Sequence, residues 1–302
     1  MRNVLLALAV GVAFSGMAQI VSVASIEKVN VPESRDNVVA GISPAGDYLL
    51  LTTSTNKGLT KFDLATRQST VVSDAPGAGF DAMISADGQS IVYRENSYTA
   101  NHLKMVSLRS KNLRTGVQQT LVEPTRDLQG VAIENATALA VDGGRLKARA
   151  LNGGTATTQR PVLSIQNRQL MITQHGETRV FSPNGTNNSY LWAQLSPDGS
   201  KVVYFIAGNG AWVCDIQGQN AKRLGIVRAP QWLGNNLVVG MYDEDDGEFI
   251  YASKILVCDL EGNKQDLTGS NVVAMNPYPT TAGDKIAFST PAGEAYIINL
   301  NK

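Results

Sequence analysis

The sequence predicts an all-β fold, a single β-propeller of four-stranded blades, and three observations predict it. Apolar residues come in short bursts: Tyr48-Leu49-Leu50-Leu51, Ser90-Ile91-Val92-Tyr93, Lys201-Val202-Val203-Tyr204-Phe205, Leu237-Val238-Val239 and Lys285-Ile286-Ala287-Phe288. Gly, Asp, Asn and Pro bound most of these bursts, and apolar residues rarely recur at helical spacing, so the bursts read as strands. A turn motif also repeats: Ser43-Pro44-Ala45-Gly46, Ser85-Ala86-Asp87-Gly88, Ser196-Pro197-Asp198-Gly199 and Thr280-Thr281-Ala282-Gly283, each running into a burst. The first two copies start 42 residues apart and the last two 84, twice that interval. Such a period is the length of a propeller blade.

At the amino end, one cation at Arg2 precedes an apolar run from Val4 to Phe14 and the small-x-small triplet Gly16-Met17-Ala18. This is the three-part pattern of a signal peptide over residues 1–18, with cleavage after Ala18. The run is too short for a membrane span. No cysteine follows the cleavage site to take a lipid, and no later stretch is long and apolar enough to cross a bilayer. The mature chain, 19–302, is expected to be one propeller domain in a periplasm or outside the cell. Residues Ile26 to Val31 lie ahead of the first turn, where an outermost strand belongs, while the last repeat stops near Leu300 without one. Pairing the two closes the ring and removes two exposed sheet edges.

Each repeat reads as strand a, the turn, strand b, a variable loop, strand c and a short strand d. In the turn, Pro and Asp favour the tight reversal and Gly supplies the positive φ that closes it. A second element recurs at the end of strand c: Phe62-Asp63-Leu64, Cys214-Asp215-Ile216, Cys258-Asp259-Leu260 and Ile298-Asn299-Leu300. Seven b–c hairpins follow, at 49–64, 90–108, 137–151, 169–181, 201–216, 237–260 and 285–300. Ser85 to Ser196 spans 111 residues, three intervals of 37 or two of about 55. Tight reversals at Asp142-Gly143-Gly144 and His175-Gly176 favour the shorter interval, hence seven blades, or six if the hairpins between 137 and 181 share one sheet.

These units resemble the Ser-Pro-Asp-Gly repeats of the TolB-like propeller family. The resemblance covers nearly the whole mature chain, with Ser196-Pro197-Asp198-Gly199 the full match to the turn. It implies an exported, toroidal domain of a kind that often binds other proteins.

Chemistry-bearing residues are sparse. Net charge is zero and 17% of residues are charged, so wholesale nucleic-acid binding has no support in composition. Cys214 and Cys258 hold the same repeat position in adjacent blades. Facing sheets pack about 10 Å apart, whereas disulfide Cα atoms lie within about 7 Å, so free buried thiols are favoured over a bridge. Among related propellers, lyases and other metal-dependent members gather several histidines around one ion; His102 and His175 are the only two in this chain, each in or near a hairpin loop. There is no Gly-x-Ser-x-Gly elbow and no context for a Ser-His-Asp triad. The exopeptidase relatives carry a separate hydrolase domain, for which this chain has no room. No catalytic residue, metal or cofactor is therefore expected, and the chain is not expected to be an enzyme.

Trp192 and Trp232 fall in strands a and Trp212 in a strand c, where large side chains fill the space between blades; packing is favoured over sugar stacking. The run Asp243-Glu244-Asp245-Asp246-Gly247-Glu248 departs from a calcium loop because glycine comes fifth rather than sixth, and it reads as a solvated hairpin tip.

Charge is uneven around the ring. Arg94 to Arg168 carries eleven cations against five carboxylates, and Gly234 to Lys302 four against ten. The b–c and d–a loops of a propeller share one face, and two b–c loops are long: Arg94 to His102 in blade two and Tyr242 to Tyr251 in blade six. Together they form the expected recognition rim, with Arg94, Tyr98, His102, Tyr242, Asp243 and Asp245 contributing. The function this supports is a monomeric, non-enzymatic scaffold for an envelope protein or peptide. The alternative is a carbohydrate-binding or carbohydrate-processing propeller with its site over the central channel.

Overall fold

A computed structural model describes residues 19–31, 36–151, 153–156 and 159–301, so the leader expected over residues 1–18 lies outside the described residues. Every regular element among them is a strand, and the strands form seven antiparallel sheets. In chain order, strands a to d of blade one are Val38–Ile42, Tyr48–Thr52, Lys57–Asp63 and Ser69–Pro76. Blade two is Met83–Ile84, Ser90–Tyr98, Lys104–Asn112 and Gln118–Thr125. Blade five is Tyr190–Leu195, Lys201–Ile206, Gly210–Asp215 and Lys222–Gly225, and blade six is Arg228–Leu233, Leu237–Asp245, Ile250–Asp259 and Lys264–Asp266. The fold is a seven-bladed β-propeller. No helix among the described residues is long and apolar enough to cross a membrane.

Blades three and four depart from the four-stranded pattern. Blade three holds Leu128–Glu134, Thr137–Asp142 and Arg145–Ala150, and blade four Val162–Gln166, Gln169–Gln174 and Glu177–Val180. The stretch that would supply strand d of blade four runs Phe181-Ser182-Pro183-Asn184-Gly185-Thr186-Asn187-Asn188-Ser189. Its Pro, Gly and Asn favour turns and leave no alternating apolar face to bury.

The repeated turn works through its hydroxyl. In blade five the Gly199 N–H donates to the Ser196 carbonyl at 2.9 Å, with Gly199 at φ 73°. The fully buried Ser196 hydroxyl donates to Asp198 Oδ1 at 2.6 Å and accepts the Lys201 N–H at 3.0 Å. Ser43, Ser85 and Thr280 are equally buried and accept the N–H groups of Tyr48, Ser90 and Lys285 in the same way. Each motif thus fixes where strand b begins.

Between blades the core is apolar. Val203, Phe205 and Val213 of blade five pack on Trp232, Val238, Leu256 and Cys258 of blade six, while Val239, Met241, Ile255 and Val257 on the other side of blade six pack on Ile286, Phe288 and Ile298 of blade seven. Both faces of a sheet are buried, which explains why the b strands read as unbroken apolar bursts. Cys214 and Cys258 are free and buried in separate packing clusters, and burial pushes their thiols up to about 12 and about 11.

The ring closes as the sequence analysis expects. Val23–Val29 pairs antiparallel with Ala295–Leu300 and completes blade seven, whose other strands are Met275–Pro279 and Lys285–Ser289. The strand starts three residues earlier than expected. Just ahead of it, the Gln265 side chain of blade six accepts the N–H groups of Ile20 and Val21 at 2.7 and 2.9 Å and donates to the Val21 carbonyl at 2.8 Å.

Strand a carries one irregularity repeatedly. Trp192 and Ala193 together face Tyr204, Ala229 and Pro230 face Gly240, and Asn276 and Pro277 face Phe288. The first residue of each bulge is left-handed, at φ 47°, 45° and 54°, and Asp81 at the start of blade two is left-handed too, at 53°. Bulges of this kind re-aim side chains at a rim.

Candidate functional site

The innermost strands begin at the end of the ring where the b–c and d–a connections lie, so their first residues stand at the mouth of the central channel. At the junction of blades five and six the two bulges bring four side chains together. Trp192 is 39% exposed and rests edge-on against Phe205, with ring centroids 5.2 Å apart. The Arg228 guanidinium lies 5.8 Å from the indole centre. Arg228 in turn donates to Asp243 Oδ2 at 2.7 Å and lies 3.9 Å from Asp245 Oδ2. The Asp243 side chain is wholly buried, and its Oδ1 finds no hydrogen-bond partner among the described residues. Behind this group, Gln194 donates to Gln231 at 2.7 Å and the Trp232 indole N–H donates to the Gln194 carbonyl at 3.1 Å, tying the two inner strands together.

A second group stands across the mouth at blade two. Arg94 donates to Asp81 Oδ2 at 3.0 Å and to the carbonyls of Phe80 and Asp81, and its guanidinium lies 5.5 Å from the Phe80 ring centre. Phe80 is 57% exposed. Burial, reinforced by the Asp81 carboxylate, pushes the Tyr278 phenol of blade seven up to about 12.

Of the expected rim residues, Arg94, Asp243 and Asp245 therefore sit in ion pairs at the mouth. Asp243 is no part of a solvated tip. Tyr98, at the outer end of its strand, is exposed, and His102 occupies a left-handed turn beyond it. Tyr242 is half-exposed with the Lys254 ammonium 5.7 Å from its ring centre. The acidic tip beyond organises itself: Asp246 Oδ1 accepts the N–H groups of Glu248 and Phe249.

Trp192 corrects the packing expectation. It lies in strand a as expected, yet the bulge turns it outward, while Trp232 is buried. The sequence reading does not reach Arg228, Phe80 or Asp81: Arg228 sits beside a bulge, which adds a residue without changing composition, and Phe80 and Asp81 lie in a d–a connection that carries no motif. One signal was available: Pro230 and Pro277 lie inside inner strands, where proline marks a bulge or an edge.

On the opposite face, a wedge of about 350 Å³ opens between blades one and two, lined by the Ser43 and Ser85 turns with Lys61 and Arg114. It follows from turn geometry and gathers no set of reactive side chains.

No protein-family model matches the chain, and no curated protein matches it by sequence. Solved structures do. One described as an oligogalacturonate lyase in complex with manganese aligns at TM-score 0.52 and 15% identity, covering 90% of this chain and 79% of that one. An oligogalacturonate lyase from Vibrio parahaemolyticus aligns at TM-score 0.49 and 14% identity, covering 90% and 80%. The likeness is one of fold. No group of three His, Cys, Asp or Glu among the described residues could hold a metal ion, so the manganese of the first structure finds no matching donor set here.

This comparison corrects two expectations, that the chain is a non-enzymatic scaffold for protein or peptide and that it is not an enzyme. The ring it resembles is described as an oligogalacturonate lyase. Side chains gathered from several strand ends around a channel can carry chemistry without a nucleophile elbow or a Ser-His-Asp triad.

Proposed function

We propose that this chain is a carbohydrate-processing propeller that holds an oligosaccharide at the channel mouth between blades five and six. Trp192 is the observation that carries this reading. A tryptophan at φ 47° is a strained residue, and such strain persists where the surroundings over-determine it. Here the strain leaves an aromatic surface open beside a fixed cation and two carboxylates. Aromatic walls with a few placed polar groups are the general make-up of a small-molecule site. The indole offers a platform for the C–H face of a sugar ring, Arg228 a donor fork for its oxygens, and Asp243 holds that fork in place. Asp245, half-exposed and beside the arginine, is the group positioned to accept a proton.

Arg94, Tyr98, His102 and Tyr242 form the outer rim of the same mouth in this reading. The leader pattern supports action in a periplasm or outside the cell, and the Ser-Pro-Asp-Gly turns support a grouping with TolB-like propellers. The test is incubation of the purified protein with oligogalacturonates and with neutral oligosaccharides, products being followed by mass spectrometry. We expect one class to be converted. Trp192→Ala should lower kcat/KM about tenfold while Trp192→Phe retains most of it. A folded wild-type protein that neither binds nor converts any of these sugars would overturn the proposal.

A further inference from the structure

Resting on that reading, we infer that the mouth has a second stacking subsite at Phe80 and Arg94, so that one oligosaccharide spans the channel from Trp192 to Phe80. The argument begins with the ring. In a seven-bladed propeller, blade two lies directly opposite the junction of blades five and six, with blades three and four between them on one side and blades one and seven on the other.

The two groups share one construction. Each has an exposed aromatic ring, an arginine over that ring at 5.5 or 5.8 Å, and a carboxylate fixing the arginine at 3.0 or 2.7 Å. In each, a left-handed residue, Asp81 or Trp192, re-aims the backbone at the mouth. The charges are exchanged between strands. In blade two the acid precedes strand a and the arginine lies on strand b, whereas in blade six the arginine opens strand a and the acid lies on strand b. Neither arginine is free to rotate away, since each is held by an acid and Arg94 also donates to two carbonyls. The mouth therefore presents two aromatic platforms on opposite sides of the ring. A single sugar unit contacts one of them; a chain contacts both.

The experiment is calorimetric titration of the full-length mature protein with oligogalacturonates of two to six units. Wild-type affinity should rise steeply at the length that bridges the mouth. Phe80→Ala should remove that rise, an about tenfold loss on the long members, and leave the shortest unchanged, whereas Phe80→Tyr restores it. Trp192→Ala should weaken every length. Phe80 is exposed, so its truncation leaves the core intact, and a melting curve confirms folding. Unchanged long-chain affinity in folded Phe80→Ala, with Trp192→Ala still weakened, overturns the second subsite and leaves the first. Equal losses at all lengths also overturn it. Failure of wild type to bind any member overturns both.

Discussion

Asp198 illustrates how much one side chain settles in this fold. Hydrogen bonds from the Ser196 hydroxyl and the Ser200 N–H hold its carboxyl down to about 2, below the ordinary aspartate range near ~3.9. A depressed value means that its contribution to stability is present in full above the unfolded value and is lost as pH falls through the folded one. Asp198→Asn should therefore lower Tm by about 2 °C at neutral pH, the expected size for one exposed charge-assisted hydrogen bond in a domain of this length. The gap to wild type should close as the pH approaches 2. Melting curves from pH 7 down to pH 2 check this, and a pH-independent gap would refute the assignment.

The irregular inner strand is the element that makes the site. Gly240 lies opposite the Ala229–Pro230 bulge, and a Cβ there would sit 2.4 Å from Val227 Cγ1 and 2.8 Å from the Arg228 carbonyl oxygen. Gly240→Ala should displace the bulge and carry Arg228 away from Trp192. We expect a stability loss of about 2 kcal/mol by urea unfolding, together with loss of sugar binding although every contacting side chain is retained. Undiminished binding would mean that the bulge does not position Arg228. The b–c hairpins, by contrast, are legible in the sequence, because Gly143 and Gly176 mark two of their reversals and strand b reads as an apolar burst. That blades three and four show three strands among the described residues is not legible there, since a b–c hairpin is complete without strand d. Trp192 was read as packing because alternation in strand a is undisturbed up to the bulge, and its exposure depends on a backbone angle. Loop length points to Arg94, Asp243 and Asp245; their ion partners lie elsewhere, Asp81 just ahead of an inner strand and Arg228 at the first position of another, and the length of a b–c loop does not report them.

Across the whole molecule, stability depends on pairing Val23–Val29 with Ala295–Leu300. A variant beginning at Val31 loses all of Val23–Val29 and the Gln265 clamp at once. It leaves the inner edge of the pairing, Ala295–Leu300, uncovered. We expect a loss far above the roughly 0.5 kcal/mol of a typical surface change, whereas Gln265→Ala alone should cost about 1–2 kcal/mol. Urea titrations of both variants measure the difference; near-identical midpoints for the truncated and full chains would show that blade seven stands without its fourth strand.

The same closure orders events in time. Synthesis runs from the amino end, so Val23–Val29 is made early and must wait for its distant partner Ala295–Leu300. Pairings between such distant segments form slowly. A chain cut short before Ala295 leaves its first strand unpartnered and its ring open, with a bare edge that invites degradation or capture. Ring closure thus depends on both of these distant strands being present.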